Sequence, residues 1–242
     1  MEKEKNDFKN DKYEGKGKKY YEYTNGKIYY EGDFKNGLYE GNGKQYYGNG
    51  NIKYEGYFKN GLYEGNGKQY YDNGNIKYEG DFKNGKYEGK GKEYYEYTNG
   101  KIYYEGDFKN GLKHGKGKEY YENGNIKYVG DFKNDNYEYK RKIYDENGNI
   151  KYEGNYFNIC KYEGKGKEYY FNGNIKYEGD FKNGQFEGKG KKYYEYTNGK
   201  ISYEGDFKNG KYEGNGILYN EDGNIKYSGK FEKGKPDNCI IF

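Results

Sequence analysis

Alanine is absent from the 242 residues, and proline, arginine and histidine occur once each. Without alanine, and with glycine breaking every stretch long enough for a helix, helical structure is not expected. A single arginine, Arg141, and 44 basic residues interleaved with 40 acidic ones leave no basic stripe, which argues against a nucleic-acid partner. The lone histidine, His114, has no second histidine with which to build a metal site and reads as a surface variant of the glutamate usual at its position. Two cysteines, Cys160 and Cys239, show neither metal-ligand spacing nor the even framework of a secreted disulfide domain, so a reducing, cytoplasmic setting is expected. No run approaches the length and apolarity of a membrane span, and the opening Met1-Glu2-Lys3-Glu4-Lys5 has no apolar signal core.

Aliphatic side chains are also scarce. Hydrophobic residues make up 31% of the chain and aromatics 22%, so nearly all the apolar material is tyrosine and phenylalanine. Low hydropathy with 35% charge would suit a disordered chain, but the aromatics and glycines recur at regular spacing, which argues for order.

That spacing is the main feature of the sequence. A Tyr-x-Gly opening recurs at Tyr30, Tyr54, Tyr78, Tyr104, Tyr128, Tyr152, Tyr177, Tyr203 and Tyr227, every 24 to 26 residues, the signature of an array of structural repeats. Within Tyr54-Glu55-Gly56-Tyr57-Phe58-Lys59, alternate residues share a face, which is the period of a strand. Asn60-Gly61 follows, a type I′ hairpin signal. A two-residue turn there pairs Phe58 with Tyr63, Gly56 with Gly65 and Tyr54 with Gly67. A second turn at Asn73-Gly74 pairs Tyr71 with Ile76. Copies carrying Tyr97-Thr98-Asn99-Gly100 are two residues longer, and one extra residue on each arm would preserve the facing of every side chain.

The expected fold is all-β, an elongated single-layer antiparallel meander of tandem β-hairpins, stabilised by stacking between neighbouring repeats. One face carries the rings and glycines. The other carries mixed charge and is solvated. The row Phe58, Phe82, Phe108, Phe132, Phe181 and Phe207 on the aromatic face is a candidate interaction face for a protein partner or for a second copy in a homodimer.

Residues 1–127 form a regular first array and residues 162–235 a second. Between them, residues 128–161 are irregular: Asn134-Asp135 replaces Asn-Gly, Tyr139 and Arg141 replace two glycines, and one extra residue near Asn158-Ile159-Cys160 implies a longer turn or a bulge. Tyr139 and Arg141 mark an atypical centre, with cation–π contact as the expected compensation. Residues 236–242 form a tail after the single proline.

The string Tyr104-Glu105-Gly106-Asp107-Phe108, continued by Gly111, Gly115 and Gly117, resembles the MORN repeat over residues 7 to about 235. The resemblance implies single-layer sheets serving as non-enzymatic scaffolds at membrane–cytoskeleton junctions, often dimeric, with affinity for acidic phospholipids. The period is one residue longer than the usual 23, and Asn-Gly-Asn-Ile-Lys-Tyr-Glu-Gly is similar to the variant repeat of bacterial antitoxin-like proteins. An antitoxin-like or host-directed binding protein is therefore the alternative reading.

An enzyme is not expected, because catalysis needs a unique poised group in a concave pocket and the acids here recur identically in each repeat. Neither a cofactor nor a small-molecule substrate is called for. The tail Cys239-Ile240-Ile241-Phe242 fits the C-a-a-X pattern, with Cys239 as the lipidation candidate and a hydrophobic cap as the plain reading. Lys226, Lys230, Lys233 and Lys235 would supply the second, basic signal that a single prenyl chain needs at an acidic membrane surface. The expectation is thus a cytoplasmic protein, peripheral at a membrane.

Overall fold

The computed structural model describes residues 7–9, 12–157 and 161–237. Their strands belong to one antiparallel sheet of twenty, with no helix among the described residues. The chain divides into two compact units, Met1–Gly124 with Phe132–Asn136, and Asn125–Asp131 with Tyr137–Phe242.

The first unit holds β1 (Asp7–Lys9), β2 (Lys12–Tyr20), β3 (Ile28–Lys35), β4 (Leu38–Tyr46), β5 (Ile52–Lys59), β6 (Leu62–Tyr70), β7 (Ile76–Lys83), β8 (Lys86–Tyr94), β9 (Ile102–Lys109) and β10 (Leu112–Tyr120). Residues of β11 (Ile126–Lys133) and β12 (Asn136–Tyr144) fall in both. The second unit continues with β13 (Ile150–Phe157), β14 (Lys161–Tyr169), β15 (Ile175–Lys182), β16 (Gln185–Tyr193), β17 (Ile201–Lys208), β18 (Lys211–Tyr219), β19 (Ile225–Glu232) and β20 (Lys235–Pro236).

The tight turns are as the dipeptides require. Asn60 and Gly61 have φ of 50° and 82°, the two left-handed positions of a type I′ turn, and Lys59 pairs with Leu62 and Phe58 with Tyr63. Beyond that point the expected register is wrong. Gly56 lies opposite Gly67, not Gly65, and Tyr54 lies opposite Gln69, not Gly67. Gly65 and Asn66 have no partner on β5, though they pair with Phe82 and Asp81 of β7, a bulge made possible by the left-handed φ of 62° at Gly65. Because two residues are displaced, each side chain keeps its face.

The other connections are longer than two residues. Tyr70, not Tyr71, pairs with Ile76, and the loop 71–75 is closed by Tyr71 N donating to Asn75 O at 2.8 Å and Gly74 N donating to Tyr71 O at 3.1 Å. In the 26-residue copies the strands keep this register, Tyr94 opposite Ile102, so both extra residues lengthen the loop 95–101 and neither arm grows.

The core is a column of rings. Tyr54 stacks on Tyr63 with centroids 3.7 Å apart and planes 8° apart, and Phe58 meets Tyr54 edge-on at 5.0 Å. Phe82 of the next repeat closes on Tyr54 at 5.1 Å, so each tyrosine sits between its own phenylalanine and its neighbour's. Each such contact contributes roughly 0.5–1.5 kcal/mol beyond burial. The Tyr54 hydroxyl crosses Gly56 and Gly67 to donate to Tyr57 O at 3.1 Å, occupying the space a Cβ on either glycine would need. Tyr30, Tyr54, Tyr78, Tyr104, Tyr152, Tyr177 and Tyr203 are fully buried in this way.

The phenylalanine row is therefore core. Phe58, Phe82, Phe108, Phe132, Phe181 and Phe207 are only 1–4% exposed, which overturns their reading as an interaction face. Rings from the same and the adjoining repeat lie across them, a cover that facing alone did not reveal.

Candidate interaction surface

Opposite the rings, glycine columns form a floor of bare backbone between charged walls. In the first unit this trough has a volume of about 730 Å³ and runs past Gly32, Gly43, Gly56 and Gly67. In the second unit it has a volume of about 1100 Å³ and runs past Gly154, Gly166, Gly179, Gly190, Gly205 and Gly216.

Its walls are built from one repeated unit. Glu55 accepts the Tyr70 hydroxyl at 2.6 Å and faces Lys44 Nζ at 3.3 Å; the tyrosine bond and the ammonium hold its carboxyl below the usual range against the upward pull of burial. Glu105 repeats this with Tyr120 and Lys118, and Glu178 with Tyr193 and Lys167. At the C-terminal end of the second trough Ile217 and Ser228 stand where lysine and glutamate stand elsewhere, so the wall loses its charge there.

The other recurrent glutamates are occupied by the backbone. Glu40 accepts the Asn60 N–H at 2.9 Å while Gly61 N donates to Tyr39 O at 2.9 Å, tying each type I′ turn to the preceding repeat. On the opposite margin, Tyr47 donates to Tyr70 O and Asn51 to Asp72 O, tying the longer loops forward. These bonds belong to the fold.

One repeat departs from the pattern in a way that sequence reasoning missed. Lys113 occupies the place of the stacked tyrosine, 8% exposed, with its Nζ 2.6 Å from Glu119 Oε1 and 3.0 Å from the Tyr103 hydroxyl. Glu119 is 3% exposed. Burial pulls the Lys113 pKa down, but the bonds to Glu119 and Tyr103 outweigh it and the net shift is upward. Burial pushes the nearby Glu93 carboxyl up, moderated by the Lys113 charge. Lys113 also exchanges backbone bonds with Asp135, whose Oδ1 accepts Lys113 N at 2.8 Å and whose N donates to Lys113 O at 3.0 Å. The signal was in the repeat alignment: Lys113 falls where Tyr39, Tyr63 and Tyr87 fall.

Of the atypical centre, Arg141 pairs with Gly154 in the glycine column, is buried, and holds its guanidinium 5.3 Å from the Tyr137 ring centroid. Tyr139 lies on β12, and its side chain is outside the described set. Lys226, Lys230, Lys233 and Lys235 are all exposed, with Lys233 3.2 Å from Glu232. Cys239, the tail after Asp237 and the extra residue near Cys160 lie outside the described residues. Among the described residues no three His, Cys, Asp or Glu side chains are placed to hold a metal ion, and no helix is long and apolar enough to cross a membrane.

The architecture is an all-β repeat array with a sealed aromatic core and a periodic polar trough. The MORN repeat profile matches residues 7–27, 30–52, 54–76, 78–96, 104–126, 177–200 and 203–225, and the profile of the MORN repeat variant matches 139–158 and 162–183. The chain belongs to the MORN repeat family, whose repeats mediate protein and membrane interactions and whose members are generally non-enzymatic. No curated protein matches it.

Proposed function

We propose that this protein is a non-catalytic scaffold that holds protein partners along its polar troughs and is tethered, at the cytoplasmic face of a membrane, through its C-terminal end. The observation that carries this reading is the repetition of the trough. Its acids each accept from the equivalent tyrosine and face a lysine of an adjoining strand, so no single carboxylate is poised for chemistry, while an extended partner meets similar contacts over many repeats. Four exposed lysines between residues 226 and 235 support the tether, each adding about 1 kcal/mol at an anionic leaflet.

The test has two arms. Wild type, Cys239→Ser and the quadruple Lys226/Lys230/Lys233/Lys235→Gln variant are expressed in eukaryotic cells, and intact mass and membrane fraction are compared. Wild type and the lysine variant should carry a prenyl mass that Cys239→Ser lacks, and wild type alone should partition to membranes; an unmodified wild type distributed like both variants removes the tether. Photo-crosslinking from Lys68 and Lys167 should capture a defined partner that the charge-reversed variants lose, and failure of both sites to capture one removes the scaffold reading.

A further inference from the structure

Three copies share the longer loop, 21–27, 95–101 and 194–200, and after each loop one residue bulges out of the strand register: Tyr29, Tyr103 and Ser202. In the first copy the Tyr29 hydroxyl accepts from Gln45 Nε2, its ring meets Tyr21 edge-on at 5.0 Å, and the Lys19 ammonium lies 5.9 Å from its centroid. In the second, Tyr103 meets Tyr95 edge-on at 5.2 Å and its hydroxyl lies 3.0 Å from Lys113 Nζ. The shorter copies carry lysine at this position, as at Lys53, Lys77 and Lys176. Ser202 alone brings neither a ring nor a long side chain.

The surroundings of Ser202 are nonetheless those of its ring-bearing counterparts. Tyr194 donates to Tyr219 O at 2.7 Å as Tyr21 donates to Tyr46 O and Tyr95 to Tyr120 O, so the wall that meets the tyrosine edge is held in the same way. Among the described residues no ring meets Tyr194. Ser202 is 8% exposed, and its Oγ is buried without a hydrogen bond. Thr24 and Thr98 donate to Tyr21 O and Tyr95 O, whereas the buried Thr197 Oγ1 has no partner. Two buried hydroxyls are thus unsatisfied in this one copy, against the general rule that such groups are bonded.

A cation is unsatisfied beside them. Lys192 is the counterpart of Lys19; its Nζ lies 5.8 Å from the Tyr212 centroid, and among the described residues it makes no ion pair. Burial and the Lys176 charge hold its pKa below the ordinary lysine value, and Glu168 offsets only part of this because Lys176 already holds that carboxylate at 2.7 Å. At the far side Leu218 stands where Gln45 bonds the Tyr29 hydroxyl, so an apolar side chain replaces a polar one.

We propose that this place in the second unit binds a small aromatic carboxylate of the benzoate class, its ring edge-on to Tyr194 and its carboxylate accepting from Ser202 and Lys192. The ring takes the position of Tyr29 and Tyr103, with its far end against Leu218, where no polar group is called for. The carboxylate supplies the anion that Lys192 lacks and the acceptor that the Ser202 hydroxyl lacks. Lys192 and Tyr194 are partly exposed, so the rim of the site reaches solvent. None of these side chains lines the trough of the second unit, and the site does not depend on it.

The full chain is titrated calorimetrically with benzoate, with benzamide, which lacks the charge, and with acetate, which lacks the ring. Wild type should bind one benzoate with a Kd of about 1 mM or tighter, and both controls at least about tenfold more weakly. Ser202→Tyr installs the side chain of the other two copies; it should keep the native circular dichroism, melt no lower than wild type and lose benzoate binding. Lys192→Gln should bind at least about tenfold more weakly. Absence of saturable benzoate binding to wild type up to about 10 mM, or undiminished binding by either variant, overturns the site. Equal affinity for benzamide overturns the carboxylate assignment.

Discussion

Lys113 Nζ lies 2.6 Å from Glu119 Oε1 in the middle of an aromatic column, the one place where an ion pair replaces a ring stack among the described repeats. Removing one partner of a buried pair leaves the other charge uncompensated. Lys113→Ala should therefore lower unfolding free energy by about 3–5 kcal/mol. Lys113→Tyr restores the ring and aims its hydroxyl at Glu93, the counterpart of the Gln45 that accepts from Tyr63, and with Glu119→Gln removing the charge left uncompensated it should recover stability to within about 1 kcal/mol of wild type. Denaturant melts of the single and double variants check both.

A Cβ at Gly67 would lie 2.7 Å from Tyr54 Cζ, against a ring held by the stacked Tyr63 and by Phe58 and Phe82 edge-on. Gly67→Ala should cost about 1–3 kcal/mol, since an overpacked core must shift its neighbours. At Gly48, exposed and with nothing within 4 Å of its Cβ, the same substitution should be neutral or stabilise by up to about 1 kcal/mol. Comparable losses at the two sites in thermal melts would contradict the ring-over-glycine account.

Alkali should unfold the protein cooperatively. Burial raises the hydroxyl pKa of Tyr39 to about 12, and raises Tyr54, Tyr78 and Tyr177 further, from the ordinary 10.0. A raised folded pKa means the stability is fully present below the unfolded value and is lost as pH rises through the folded one. Tyrosinate absorbance should thus appear together with loss of strand signal above pH 10; gradual ionisation with the sheet intact would refute this.

The acid limb rests on the trough. Glu55, Glu105 and Glu178 have folded pKa values below the ordinary 4.5, so their contribution is present above that value and disappears as pH falls through the folded ones. Tyr70→Phe removes the main cause of the shift at Glu55 and should make stability less dependent on pH below 4.5. Chemical denaturation at a series of pH values reads the slope directly.

Strand parity, the type I′ turn at Asn60-Gly61 and the segregation of rings from charges were legible because each follows from a local rule: side chains alternate, and only residues tolerant of positive φ close a two-residue turn. The bulge at Gly65-Asn66 was not, because looping out two residues leaves every facing unchanged and the alternation reads the same with or without it. Nor could facing tell whether Phe58 was exposed: its burial depends on Tyr54 and Tyr63 folding across it, and Tyr54 can do so only where Gly56 and Gly67 leave the backbone bare. Lys113 shows the same division, since its place in the ring column is written in the repeat, whereas its charge is tolerable only because the fold brings Glu119 and Tyr103 within hydrogen-bonding distance of its ammonium in a site closed to water.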